Sequence, residues 1–170
     1  AEFDAEIVEP VLSEAARFIE ETIAPLNRNS DQQGAQWHQD GTVTTADGFI
    51  EAYRAYVESG WGAVPFDPAY GGGGFPWSIA LALQEMLNSA CMSFALCPLL
   101  TQGAIELLGH HADETQKETW LTPLVTGEWT ATMNLTEPDA GSDVGAVRTR
   151  AVPADDGTYR ITGQKIFITY

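Results

Sequence analysis

The spacing of apolar residues changes once along this chain, at Gly127. Before Gly127, apolar side chains recur every three or four residues, which is typical of helices that bury one face. After Gly127 they alternate, as in strands. The sequence therefore predicts a mainly α protein. A helical bundle domain occupies residues 1–127, and residues 128–170 form the beginning of an incomplete β domain.

Five segments before Gly127 have helical periodicity. They span residues 4–26, 44–60, 77–97, 99–110 and 113–125. Residues 44–47 are the start signals of the second segment. The polar residues 27–41 are expected to form a long loop. Residues 77–97 contain one ionised side chain, Glu85, so this helix is expected at the centre of the bundle. Asp113 and Gln116 predict a capping box at the start of the last helix.

Glycine and proline interrupt the chain between the second and third helices. Gly71–Gly74 stand in a row, followed by Pro76, so neither a helix nor a central strand can continue there. The run lacks the Gly-Lys-Ser/Thr ending of a phosphate loop and the third glycine of a dinucleotide fingerprint. Two interpretations stay open, a mobile connection near a ligand entrance and a purely structural turn.

Three alternating runs follow Gly127, and a turn at Asp155–Thr158 separates the last two. The runs span residues 129–135, 147–151 and 159–170. Three strands cannot close a sheet on themselves. We therefore expect the first strands of a β-barrel-like domain that is cut off.

The chain is strongly acidic, with 8 Lys and Arg residues against 24 Asp and Glu residues and a net charge of −16. Such a charge repels nucleic acid, so no nucleic-acid partner is expected. Four bases nevertheless lie in the last 23 residues: Arg148, Arg150, Arg160 and Lys165. They either attract an anionic ligand or decorate exposed strand faces.

No apolar run approaches the ~20 residues of a membrane span. The first residues, with Glu2, Asp4 and Glu6, are unlike a signal peptide. We therefore expect a cytoplasmic protein with no membrane partner. Cys91 and Cys97 have the spacing of neither a metal knuckle nor a disulfide framework, which predicts two buried thiols and no metal site.

Residues 133–143 form the segment with the clearest chemistry. Thr136 offers a hydroxyl and a backbone N–H, and Pro138 fixes the chain direction. Gly141 and Ser142 let a ligand approach the backbone closely. The segment predicts a ligand-binding loop, although a structural turn of this composition is also common.

Together with Gly163–Thr169, this loop resembles two motifs of the acyl-CoA dehydrogenase family. The loop is similar to T-E-P-x-A-G-S-D, and Gly163–Thr169 is similar to G-x-K-x-(aromatic)-I-T, at nearly the family's own spacing. Short segments upstream, such as Ala69–Gly72 and Leu124–Trp129, also resemble family sequences, so the resemblance extends from about Gly60 onward.

The resemblance implies the first domain and part of the second of a three-domain flavoprotein. Members of the family bind FAD, form homo-oligomers and oxidise an acyl-CoA substrate between its α- and β-carbons. They pass the electrons to an electron-transfer flavoprotein. Their catalytic base is a glutamate of the C-terminal helical bundle, so no catalytic residue is assigned in this chain, and the fragment alone is expected to be inactive.

The resemblance also assigns binding roles. Thr136 would bond the flavin pyrimidine edge, Phe167 would pack on the ring, and the Thr169 hydroxyl would lie near N5. The remaining candidates would provide apolar walls, contacts to phosphate or the CoA arm, and the acyl pocket. For the cofactor they are Met133, Leu135, Gly141, Ser142 and Ile168, and for the substrate Ser142, Leu96, Cys97, Leu100 and Thr101.

Residues 26–43 and 133–150 resemble a branch of larger family members that includes 3-methylmercaptopropionyl-CoA dehydrogenase. Two other functions stay open. The chain could belong to a non-catalytic acidic helical module for protein assembly, or to a flavin oxidase or monooxygenase of the same fold.

Overall fold

The computed structural model describes residues 5–169. The chain divides into two compact units, one ending at Ala131 and one beginning at Thr132. Six α-helices and four short strands are assigned in the described residues. They are α1 (Ala5–Phe18), α2 (Leu26–Gln33), β1 (Gln36–Trp37), β2 (Val43–Thr44), α3 (Phe49–Glu58), α4 (Trp77–Ala90), α5 (Met92–His111), α6 (Glu114–Val125), β3 (Arg150–Pro153) and β4 (Tyr159–Thr162). The predicted mainly α fold is confirmed.

Two apolar clusters hold the helical unit together. The larger cluster joins α1, α3, α4 and the start of α5. The smaller cluster joins α5 to α6 through five buried residues: Phe66, Ile105, Leu121, Leu124 and Val125. Because these side chains leave water on folding, burial of apolar area is the main stabilising term here.

The predicted loop 27–41 is wrong, since α2 and the β1–β2 hairpin occupy that region. Helix α2 buries no residue, so it has no apolar periodicity to detect. Side chains 14 residues apart stabilise it instead. The Gln33 amide donates to the Asp47 carboxylate at 2.9 Å, and the Asp47 N–H donates to the Gln33 side chain at 2.8 Å. Asp47, expected as a helix start signal, is used in this contact.

The predicted helix 77–97 is also wrong, because α4 ends at Ala90 and α5 begins at Met92. Cys91 between them is extended, with φ −155° and ψ 95°. Its N–H closes α4 on the Leu87 carbonyl oxygen at 2.9 Å, and its own carbonyl oxygen accepts the Ala95 N–H at 3.0 Å. Because the residue between the two helices is a cysteine, no glycine or proline marks the break in the sequence. Both predicted thiols, Cys91 and Cys97, are buried.

Helix α5 is 20 residues long and, by length and composition, apolar enough to cross a membrane, so the expectation that no segment approaches that length is wrong. Core helices of water-soluble proteins meet the same criteria. Phe94, Ala95 and Ile105 on α5 are buried against neighbouring helices.

The glycine run forms a hydrogen-bonded structural turn. The N–H groups of Gly72, Gly73 and Gly74 donate to carbonyl oxygens of residues 63–67 at 2.9–3.0 Å. A Cβ at Gly72 would lie 2.0 Å from the Phe66 carbonyl oxygen, so no larger residue fits. The structural interpretation therefore accounts for the run, and a mobile connection does not.

In the second unit, β3 and β4 pair antiparallel, with Arg150 opposite Thr162 and Pro153 opposite Tyr159. The predicted strand 129–135 is wrong, because no ladder partner lies beside it in the described residues. Only isolated hydrogen bonds reach this segment. A strand requires a hydrogen-bonded partner strand, and an alternating sequence pattern does not show whether a segment has one.

Candidate functional site

The two motif segments of the second unit lie side by side. We call residues 132–143 the Thr136 loop and residues 163–169 the terminal segment. Four hydrogen bonds link them, and three of these are to backbone carbonyl oxygens. These three run from the Ile166 N–H to Thr136 (3.0 Å), from the Thr132 hydroxyl to Thr169 (2.6 Å) and from the Lys165 ammonium to Leu135 (2.9 Å). The residues that the resemblance assigns to one cofactor are therefore neighbours, although they lie about thirty residues apart in the sequence.

A buried carboxylate, Glu137, anchors this arrangement. It is 6% exposed and accepts the N–H groups of Arg148 at 2.7 Å and Thr149 at 2.9 Å. The Lys165 ammonium donates to it at 2.9 Å. Such donors favour the charged form. The pKa of the Glu137 carboxyl is lowered to about 2. The Thr149 hydroxyl contributes most, followed by the Arg148 N–H and the Lys165 ammonium, although the hydroxyl forms no hydrogen bond of ordinary geometry.

The sequence alone assigned no role to Glu137, and it indicated Lys165 only as one of four bases that attract an anionic ligand or decorate strand faces. The two residues instead pair with each other. A buried acid and a base 28 residues later give no local pattern. Gly163 was also missed as a structural requirement. A Cβ there would lie 2.1 Å from the Thr149 hydroxyl oxygen, so glycine lets the terminal segment run against Thr149.

Several apolar side chains at this site are exposed to solvent. Their exposed fractions are 54% for Met133, 43% for Leu135, 86% for Phe167 and 38% for Ile168. Neighbouring exposed apolar groups mark a surface that contacts something outside the described residues. Their combination with hydroxyls fits a flat, partly polar aromatic ring such as a flavin.

The polar groups expected to contact that ring are available. Among residues 5–169, neither the Thr136 N–H nor its hydroxyl has a hydrogen-bond partner. The Thr169 carbonyl oxygen accepts a hydrogen bond from the Thr132 hydroxyl. The Thr169 hydroxyl itself has no hydrogen-bond partner among the described residues. Thr136 is half-buried and Thr169 is exposed, so water or a ligand can satisfy these groups.

Gly141 and Ser142 are exposed at the tip of the Thr136 loop. A Cβ at Gly141 would meet no atom of this chain within 4 Å. The fold itself therefore has room for a larger residue at this position. Next to them, the Asp143 carboxylate accepts the Gly145 N–H at 3.1 Å and caps the 3-10 turn Val144–Ala146. The binding roles of Gly141 and Ser142 stay predictions.

The predicted acyl-pocket residues lie on α5 in the helical unit. Leu96 and Leu100 are half-buried, whereas Cys97 and Thr101 are each 6% exposed. The Thr101 hydroxyl donates to the Cys97 carbonyl oxygen at 3.1 Å and accepts the Ala131 N–H at 3.1 Å. This hydroxyl fixes the end of the helical unit, so its use in structure is established while its role as a pocket wall stays a prediction.

Two openings lie within the helical unit. A cavity of about 20 Å³ beside Thr101, also lined by Tyr53, Tyr56 and Pro98, has room for one water molecule and not for an acyl chain. Burial raises the Tyr56 pKa there. A wider opening of about 300 Å³ lies between α5 and α6, and none of the predicted substrate residues lines it.

Two family models match the chain. The N-terminal domain of acyl-CoA dehydrogenases matches residues 8–128, and their middle domain matches residues 132–170. The 3-methylmercaptopropionyl-CoA dehydrogenase of Ruegeria pomeroyi is 46% identical over 170 residues, which is 100% of this chain and 29% of that protein.

Solved structures agree. Butyryl-CoA dehydrogenase from Megasphaera elsdenii has a TM-score of 0.80 and 28% identity, over 99% of this chain and 42% of its own. An acyl-CoA dehydrogenase from Bacillus anthracis complexed with FAD has a TM-score of 0.77 and 25% identity, over 98% of this chain and 27% of its own. The chain thus spans less than half the length of these relatives. Because both family models match, and a relative is 46% identical over the whole of this chain, the chain belongs to the acyl-CoA dehydrogenase family.

Proposed function

We propose that this chain is the part of an acyl-CoA dehydrogenase that holds the reactive end of FAD and the thioester end of an acyl-CoA. The observation that supports this function best is the pairing of the Thr136 loop with the terminal segment. It brings an exposed apolar patch beside hydroxyl and N–H groups that have no partner in the described chain.

FAD, when bound, supplies the acceptor for the hydride that leaves the substrate β-carbon. The protein groups orient it. The Thr136 N–H and hydroxyl would hold its pyrimidine edge, and donors at that edge favour the reduced form. Phe167, Met133 and Leu135 supply an apolar surface that excludes water from the ring.

Substrate contacts are proposed in each unit separately. Ser142 and Gly141 bind the thioester-bearing arm or phosphate of CoA through the exposed loop tip. On α5, Leu96, Cys97, Leu100 and Thr101 contribute to the acyl-chain pocket. The catalytic base is a glutamate that the family supplies from its C-terminal bundle, so no described residue takes that role.

The substrate class follows the relatives. The 46% identity to a 3-methylmercaptopropionyl-CoA dehydrogenase supports a short acyl-CoA, saturated or thioether-bearing. An electron-transfer flavoprotein is the proposed electron acceptor, and a cytoplasmic homo-oligomer is the proposed form of the intact protein.

The test uses the full-length protein. Purified protein is expected to be yellow, to contain about one FAD per chain, and to reduce an artificial electron acceptor when given short acyl-CoA thioesters. A protein without flavin that takes up no added FAD would leave the assembly module as the function. Steady hydrogen peroxide release in place of acceptor reduction would assign an oxidase.

A further inference from the structure

The backbone of Phe167 is strained. Its φ is +53°, and among the described residues it is the single non-glycine residue with a positive φ. A side chain in the left-handed region crowds the backbone, so this conformation persists only where neighbouring contacts impose it. The ring is 86% exposed, so its packing within the described chain does not impose the conformation.

The contacts that impose it lie on both sides of Phe167. On the preceding side, the Ile166 N–H is bonded to Thr136, and the Lys165 ammonium is bonded to the Leu135 carbonyl oxygen. On the following side, the Thr169 carbonyl oxygen is bonded to the Thr132 hydroxyl. The chain is therefore held at residues 165, 166 and 169, and the residues between them must make the bend.

Lys165 is the strongest of these attachments, because its second bond reaches Glu137. That carboxylate is fixed independently by the Arg148 and Thr149 N–H groups. Glu137 also follows Thr136 directly in the chain. The Lys165–Glu137 contact therefore ties the segment that carries Thr136 to the segment that carries Phe167.

We propose that Glu137 and Lys165 form a positioning clamp that holds Phe167 in its left-handed conformation and sets the distance between its ring and Thr136. The clamp rests on the proposed function, since it fixes the two groups assigned to opposite parts of one flavin. Neither residue is catalytic. Their effect on the cofactor passes through Phe167 and Thr136.

The test is a double-mutant cycle in the full-length holoenzyme. Lys165→Met is expected to raise the FAD dissociation constant roughly tenfold and to change the visible circular dichroism of the bound flavin. The matched control is Lys117→Met. Lys117 also has a 22% exposed side chain and an acidic partner, Glu114, at 3.1 Å, but it lies on α6. The control should leave both flavin readouts unchanged.

The second arm of the cycle introduces Lys165→Met into Phe167→Ala. If the clamp acts through Phe167, the added effect on the flavin spectrum shrinks several-fold in that background. Equal effects in both backgrounds would mean that Lys165 only stabilises the fold, and would overturn the proposal. Lys165→Arg keeps the charge. If Lys165→Met does not fold, Lys165→Arg takes its place in the test. A partial change in the visible circular dichroism of the bound flavin is expected, and a spectrum equal to that of the wild type would contradict the clamp.

The outcomes also separate this inference from the proposed function. Wild-type protein that binds no FAD removes the function. Wild-type protein that binds FAD, with Lys165→Met indistinguishable from Lys117→Met, removes the clamp alone.

Discussion

The two units of the chain are stabilised in opposite ways. The helical unit buries its apolar side chains in two clusters. In the second unit, among residues 132–169, only Glu137 and Ala140 are buried, while large apolar side chains stay exposed. Within the described residues, the helical unit is held mainly by burial of apolar area, and residues 132–169 are held mainly by hydrogen bonds, those of the β3–β4 pair and those to the Glu137 carboxylate. Apolar burial is insensitive to pH, whereas a carboxylate is not.

The largest expected effect is on the helical unit. Leu87 is 3% exposed in the larger cluster, so Leu87→Ala removes buried methyl groups and leaves a cavity. Its cost is about 3 kcal/mol of unfolding free energy. Urea denaturation followed by helical circular dichroism measures it. Leu81→Ala, at a 63% exposed position of α4, is the control and should change little. A loss as large in Leu81→Ala would contradict the burial argument.

The next effect is on the second unit. Glu137→Gln removes the charge that three donors share, so the N–H groups of Arg148 and Thr149 are expected to lose hydrogen-exchange protection by at least roughly tenfold. Helical circular dichroism should stay unchanged. Glu114→Gln, at an 82% exposed side chain, is the control. Retained protection at Arg148 and Thr149 would show that Glu137 does not hold the unit.

Lowering the pH should weaken the contacts of Glu137 in the second unit. Because the folded Glu137 pKa is lowered from 4.5 to about 2, its ionised form stabilises the folded state at pH values above about 4.5. That contribution is lost as the pH falls from about 4.5 towards 2. Protection of Arg148 and Thr149 followed by nuclear magnetic resonance should decline over this window in the wild type, and this component should be absent in Glu137→Gln. A decline of equal size in both proteins would assign it to other carboxylates.

The smallest expected effect is at a helix end. The Asp113 carboxylate accepts the Gln116 N–H at 2.8 Å, and the Gln116 side chain accepts the Asp113 N–H at 3.1 Å. Asp113→Ala should cost about 1 kcal/mol of helical-unit stability. Asp113→Asn keeps an acceptor and should cost less in the same denaturation experiment. Equal losses would show that charge, and not the cap, is responsible.

Local signals predicted the fold where local contacts decide it. The Asp113–Gln116 capping box is confirmed, because both partners lie within four residues. The end of the second predicted helix near Gly60 is confirmed as well, since Gly60 adopts φ +72° there. These features depend on backbone preferences that each residue carries by itself.

Distant contacts account for what the sequence could not predict. Helix α2 depends on Gln33 meeting Asp47, and the break at Cys91 has no residue signal. The two motifs identified segments that the structure places side by side, while the binding roles of their residues stay predictions. The motifs did not predict that Glu137 is buried, since its donors lie 11, 12 and 28 residues away.

The spacing of the Glu137 donors also sets an order for synthesis of the second unit. Arg148 and Thr149 leave the ribosome soon after Glu137, so the carboxylate can fold its loop early. Lys165 emerges 16 residues after Thr149, so it is the last of the three donors to become available. A nascent chain stalled before Lys165 would therefore lack one of the three contacts of Glu137.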